Sequence, residues 1–322
     1  MGNAPHRDFK GYGRHTPKIL WPNGASLAIN LVLVYEEGSE YSLPDGDGRN
    51  ESWGEYNTHI GPEIRDLGTE THFEYGSRAG IWRLARLIDK YEIPVTVSAT
   101  ARALERNPQV ADWMKPAGHD LLGHGLRWTE LFTLSREEEW SQLVEAIATY
   151  KKILGDRPLG WNSRSFPSVN TFELIQQEGG FIYYSDPCND DIPYFQATPA
   201  GRILIVPYSK TYNDSRFLIA PGYGNPRDFT ADVCAGIDFL EEETREHGGR
   251  MMTIAVHARW TGQANRASAL RDIIEHVRPK QKVRFMRRLD IARHILDNYA
   301  DFPTLPAELA SVPAAPIKTK RI

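Results

Sequence analysis

A chain of 322 residues, 41% hydrophobic and 25% charged, carries enough apolar mass for a real core, which excludes a disordered or fibrous protein. Its 38 basic and 42 acidic residues are interspersed and give a net charge of −4, which excludes the concentrated basic footprint of a nucleic-acid binder. Cys188 and Cys234 stand in no metal-binding or redox spacing. The longest apolar run, 26–35, is too short to span a bilayer and contains Asn30. The first residues show no apolar signal segment, so the expectation is a cytoplasmic protein acting on a small molecule, with no nucleic-acid or membrane partner.

Strand-length apolar runs alternate with segments at helical spacing. In chain order the pattern predicts a strand over 27–35, a helix over 78–91, a strand over 95–99 and helical turns up to 114. A strand over 119–122 follows, then a helix over 136–154 that starts on a Ser135/Glu138 capping box and stops at Gly155. Next come a strand over 159–161, a helix over 171–178, strands over 181–184 and 203–206, and a helix over 231–247. The remaining elements are strands over 252–256 and 283–285 and helices over 267–277 and 291–299. About seven β–α steps with continuously apolar strands argue an α/β fold with a parallel sheet buried on both faces. The first strand runs into YEEGSE rather than a glycine-rich phosphate loop, so nucleotide binding loses its support and a barrel is expected. One barrel domain over 1–300 is predicted, with a long polar loop over 38–70 and an extended or disordered tail over 301–322.

In such a barrel, chemistry sits where strands end and loops begin. That rule selects Glu36 and Glu37 after the first strand, His124 and Trp128 after the third, Arg164 after the fourth, and His257 and Arg259 near the end. A Glu-Glu pair on a loop is usually solvated, and a single strand-end histidine is usually structural. At a barrel mouth, however, crowded carboxylates repel, so one should have a raised pKa fit for acid–base work. His257 suits proton delivery to a leaving nitrogen. The fixed donors of Arg164 and Arg259 suit a carbonyl oxygen or oxyanion.

In this order the residues resemble the polysaccharide-deacetylase (NodB-homology) superfamily. Its motifs are an acidic pair, a His-x-x-x-His, an Arg-Pro segment, an Asp motif and a Leu-His. The matching positions here are Tyr35-Glu36-Glu37, His124 through Trp128, Arg157-Pro158-Leu159-Gly160-Trp161, Ser185-Asp186 and Val256-His257. The segments GYG at 11–13, WPNGA at 21–25 and EYGSRAGIWRL at 74–84 are more similar to the branch of urate-catabolism allantoinases and cyclic imide hydrolases. The resemblance covers about 7–299 and implies an irregular (β/α)7-type barrel that hydrolyses a carbon–nitrogen amide bond, opening a small cyclic amide, ureide or imide. It also implies a homo-oligomer, such as a tetramer.

By the same resemblance Glu36 is the general base and His257 the general acid. Glu37 and His124 orient water or substrate, Trp128 walls a flat ring, and Arg164 and Arg259 bind oxygen. Metal-dependent members hold a divalent ion such as zinc on the second acid and two histidines. Glu37 and His124 match two of those positions, but Trp128 fills the third and indole ligates no metal, so no cofactor is expected. Two alternatives stand beside this reading. One is an amino-sugar N-deacetylase with a metal on Glu37 and His124; the other is an inactive binding or assembly barrel.

Overall fold

The computed structural model describes residues 7–55, 60–61, 63–198 and 201–306. Its strands, in chain order, are β1 (Leu27–Tyr35), β2 (Thr96–Ala99), β3 (Asp120–Gly123), β4 (Gly160–Trp161), β5 (Tyr183–Tyr184), β6 (Tyr194–Thr198), β7 (Gly201–Ile205), β8 (Arg250–His257), β9 (Val283–Phe285) and β10 (Thr304–Leu305). They form one sheet in the order β10-β6-β7-β5-β4-β3-β2-β1-β8, with β9 also on β1. Every neighbouring pair from β7 to β8 is parallel. All nine residues of β1 are buried, as its unbroken apolar run requires of a central strand covered on both faces.

The expected α/β fold with a parallel sheet is present, and the sheet is left unclosed at one seam. Among the described residues no ladder joins β8 to β7. The gap is spanned by a single bridge from Asn213 to Ala255 and by Thr253 Oγ1 donating to Pro207 O at 3.3 Å. The rest of the seam is held by Arg288, from the helix after β9. Its guanidinium donates to Asn30 Oδ1 (3.0 Å), Val206 O (2.8 Å), Pro207 O (3.0 Å) and Thr253 Oγ1 (2.7 Å). Buried carbonyls at an unpaired strand end need donors, and one planar fork supplies them to both sides of the seam.

Several element boundaries differ from those expected. Helix α1 (Leu67–Tyr75) begins inside the predicted loop, because Asp66 caps it by accepting from Thr69 N at 3.0 Å. It runs through a π turn (Gly76–Gly80) into α2 (Ile81–Tyr91), so the helical segment is longer than 78–91. The helix Pro226–His247 starts earlier than predicted, on a reciprocal cap between Asn225 and Asp228. Strand β6 was not predicted; it pairs antiparallel with β7 as a hairpin. The end of the chain was expected to be a tail, and its described part, up to residue 306, includes β10 on β6; 307–322 lie outside the described residues. The capping box at Ser135 and the stop at Gly155 fall where expected. No helix among the described residues is long and apolar enough to cross a membrane.

Candidate active site

A cavity of about 410 Å³ opens at the C-terminal ends of the strands. Glu36, His124, Trp128, Arg164 and His257 all line it, brought together from the loops after β1, β3 and β4 and from the last residue of β8. Alternation along β1 sorts the acidic pair: Val34 and Glu36 face the cavity, and Glu37 faces away. Glu37 instead packs on the π turn, where a Cβ on Gly76 would lie 2.5 Å from its Oε1. Gly80 is equally constrained, since a Cβ there would come within 2.0 Å of Ala258 O. Two glycines in 74–84 therefore let the helix approach the ends of β1 and β8.

Glu36 is almost completely buried and gathers three cationic or protonatable groups. Arg259 Nη1 lies 2.8 Å from its Oε2, His124 Nε2 lies 3.0 Å from its Oε1, and His257 Nε2 lies 3.9 Å from its Oε2. His124 Nδ1 is 2.8 Å from the carbonyl oxygen of Asn162, which can only accept, so Nδ1 carries a hydrogen. At Nε2 a bare imidazole lone pair would repel the carboxylate, so one proton lies between Nε2 and Oε1. His257 Nδ1 donates to Asp214 Oδ1 at 2.6 Å, which fixes the ring and leaves Nε2 facing Glu36. At 3.9 Å these two atoms are too far apart to bond directly, yet both can address one reacting atom in front of them. Asp214 is fully buried and also accepts from His257 N (2.7 Å) and Thr261 Oγ1 (2.6 Å).

The two glutamates have pKa values pushed in opposite directions. Burial pushes Glu36 upward, but Arg259 first, then His257 and His124, outweigh it and hold the carboxyl well below the usual range. Burial raises Glu37, Glu36 adds to the rise, and Arg259 opposes it. One carboxylate of the pair is raised, mainly by burial rather than by the expected repulsion, and it is the one turned away from the cavity.

Trp128 forms part of the wall. Its ring stacks on Trp53 at 5.7 Å and 14°, with the Arg164 guanidinium 3.7 Å from its centroid and that of Arg259 at 4.7 Å. Arg164 is paired with Glu51 (2.9 Å) and Glu130 (3.3 Å) and donates to Trp128 O. It stands on the wall as expected, but both Nη atoms already serve protein oxygens, while Nε is buried without a hydrogen-bond partner among the described residues.

Two expected contacts need correction. Glu37 and Arg259 do not line the cavity: both side chains are 0% exposed, and Arg259 packs behind Glu36 against Trp260, Phe73 and Trp128. They can act on a substrate only through Glu36. The ligand pair Glu37 and His124 is also corrected, because the carboxylate in contact with His124 is Glu36. The metal that the fold family implies does not fit these residues. Glu37 points away, Trp128 sits between two guanidiniums at the third position, and among the described residues no group of three His, Cys, Asp or Glu side chains could hold an ion.

The sequence reading did not assign roles to Asp214, Asn162, Ser163 or Asp186. Asp186 accepts from Asn162 Nδ2 (3.0 Å) and Ser163 Oγ (2.7 Å), and burial raises its pKa. Asn162 in turn presents the carbonyl that orients His124. The strand-end rule, applied to the loop after the strand over 203–206, would have pointed to Asp214. Nothing local distinguishes it from its neighbours.

The polysaccharide deacetylase family profile matches residues 70–166. A Schizosaccharomyces pombe protein provisionally named a polysaccharide deacetylase is 33% identical over 310 residues, covering 89% of this chain and 96% of its own length. The crystal structure of a probable polysaccharide deacetylase from Pseudomonas aeruginosa superposes with a TM-score of 0.87 at 36% identity, over 91% of this chain and 98% of that one. The crystal structure of PuuE allantoinase gives the same TM-score and coverage at 37% identity. The chain belongs to the polysaccharide deacetylase family of carbon–nitrogen hydrolases.

Proposed function

We propose that this protein opens a small cyclic amide, ureide or imide ring by hydrolysis, using an acid–base pair and no metal. The observation carrying the proposal is the juxtaposition of Glu36 and His257 at 3.9 Å on the cavity wall, with Trp128 standing where a third metal ligand would be required. Glu36, kept ionised by Arg259, accepts a proton from water as the water attacks the carbonyl carbon. His257, held by Asp214, gives a proton to the leaving nitrogen as the carbon–nitrogen bond breaks. The low basicity of Glu36 makes it a weak base alone; the proton shared with His124 makes the two a coupled unit. The Trp53–Trp128 stack gives the cavity an aromatic wall, and the cavity volume suits a small molecule. Similarity to PuuE allantoinase supports allantoin as the first compound to try.

N-deacetylation of an amino sugar is the second reading, favoured by the names of two relatives. Purified protein treated with EDTA should open at least one of allantoin, hydantoin, succinimide or glutarimide and leave N-acetylglucosamine oligomers intact. Sugar deacetylation that EDTA abolishes would reverse the order of the two readings.

A further inference from the structure

The charges lining the cavity do not balance locally. The carboxylates on its wall are served: Glu36 by Arg259 and His124, Glu130 by Arg49 (2.8 Å) and Arg164, and Asp186 by Asn162 and Ser163. Among the cations, Arg164 is paired twice. Lys210 and Arg216 line the same cavity, and neither has a carboxylate within ion-pair distance among the described residues. Lys210 donates only to the carbonyl of Ser165 and lies 3.9 Å from the centroid of Phe166, while Arg216 lies 5.1 Å from that of Tyr223. Lys210 is an exposed part of the cavity lining, and the surrounding wall still pushes its ammonium pKa down by desolvation, against weaker pulls from Cys188 and Asp186.

The chain also holds this side of the cavity in an unfavourable backbone state. Ser165 has φ of 49°, left-handed for a residue with a Cβ, and its carbonyl is the one that receives Lys210. Phe166 and Ile219, 60% and 49% exposed, stand beside the two cations on the cavity lining. Their exposed apolar surface suits the carbon frame of an organic anion better than a fully hydrated inorganic ion.

Resting on the ring-opening reading, we propose that Lys210 and Arg216 form an anion-reading pair that selects ring substrates bearing a carboxylate arm. The ring then meets Glu36 and His257 while the arm turns toward the two cations. A neutral ring of the same size leaves both cations facing no charge.

Titration calorimetry with hydantoin-5-acetic acid and its neutral amide tests the pair directly. The parent protein should bind the acid about 10-fold or more tightly than the amide, with the preference shrinking as salt rises. K210M and R216M should each cut that preference several-fold, and the double variant should bring it near one. Equal affinity of the parent for acid and amide, no binding of the acid, or an undiminished preference in the double variant would overturn the proposal. Turnover is scored in the same samples. An acid bound preferentially but never opened supports the anion pair and defeats the ring-opening reading; rings opened without preference do the reverse.

Discussion

Two arginines, Arg259 and Arg288, are fully buried in one fold and put to opposite uses. Arg259 sits behind the cavity with two carboxylates, Glu36 at 2.8 Å and Glu37 at 3.5 Å, and three aromatic rings around it. Arg288 sits at the β7–β8 seam with carbonyls, an amide and hydroxyls, and no carboxylate partner within ion-pair distance among the described residues. Burial pulls both pKa values down; Glu36 and Glu37 reverse the pull on Arg259, and the partners of Arg288 do not. A buried charge facing carboxylates sets their protonation, so it controls chemistry. A buried charge facing neutral oxygens acts as a multidentate donor, so it closes a structure.

The largest effect should come from the reactive side of this contrast. Glu36→Gln and His257→Ala should each lower kcat by about 10²–10⁴-fold with much smaller changes in substrate affinity. Near-normal turnover in a folded Glu36→Gln protein would move the chemistry off Glu36, and circular dichroism melts verify folding.

Removing each guanidinium in turn tests the contrast itself. Arg288→Met should cost about 3–5 kcal/mol of unfolding free energy in urea melts, because five oxygens around it lose a donor. Arg259→Met should change the pH profile instead. In the parent, Glu36 is held well below the usual carboxylate range and stays ionised in mild acid. Without Arg259 its pKa rises, so activity should fall in mild acid where the parent is flat. Superimposable profiles would show that Arg259 is merely packed in place.

The smallest effect concerns Asp120, which accepts from Leu289 N at 3.0 Å in the first turn of the helix that carries Arg288. Burial raises its pKa to about 6 from 3.8. A raised folded-state value contributes stability below about pH 4 that is lost as pH climbs through about 6. Asp120→Asn removes this titration, so the parent's stability relative to the variant should decline between pH 4 and 7. A pH-independent difference in melting temperature would show that Asp120 does not titrate in that window.

The alternation of apolar runs made β1, β2, β8 and most helices legible, because strand and helix periodicities are local properties of the chain. Likewise, a capping residue and a terminal glycine act within one turn, so the helix Arg136–Leu154 could be bounded from its own residues. Strand β6 was missed because Tyr194–Thr198 carries no strong alternation and exists by pairing with β7. The strand-end rule also found Glu36, His124, Trp128, Arg164 and His257, which do share one cavity.

By itself the sequence determined the parallel α/β framework and the identity of the residues at the strand ends. Which of the adjacent glutamates faces the cavity, that Asp214 backs His257, and that Arg259 answers Glu36 while Arg288 closes the seam follow from long-range packing. Those outcomes depend on contacts between residues as far apart as Asn30 and Arg288. Secondary-structure periodicity is set by neighbours in the chain, whereas burial, pairing and protonation are set by whatever the fold brings within a few ångströms.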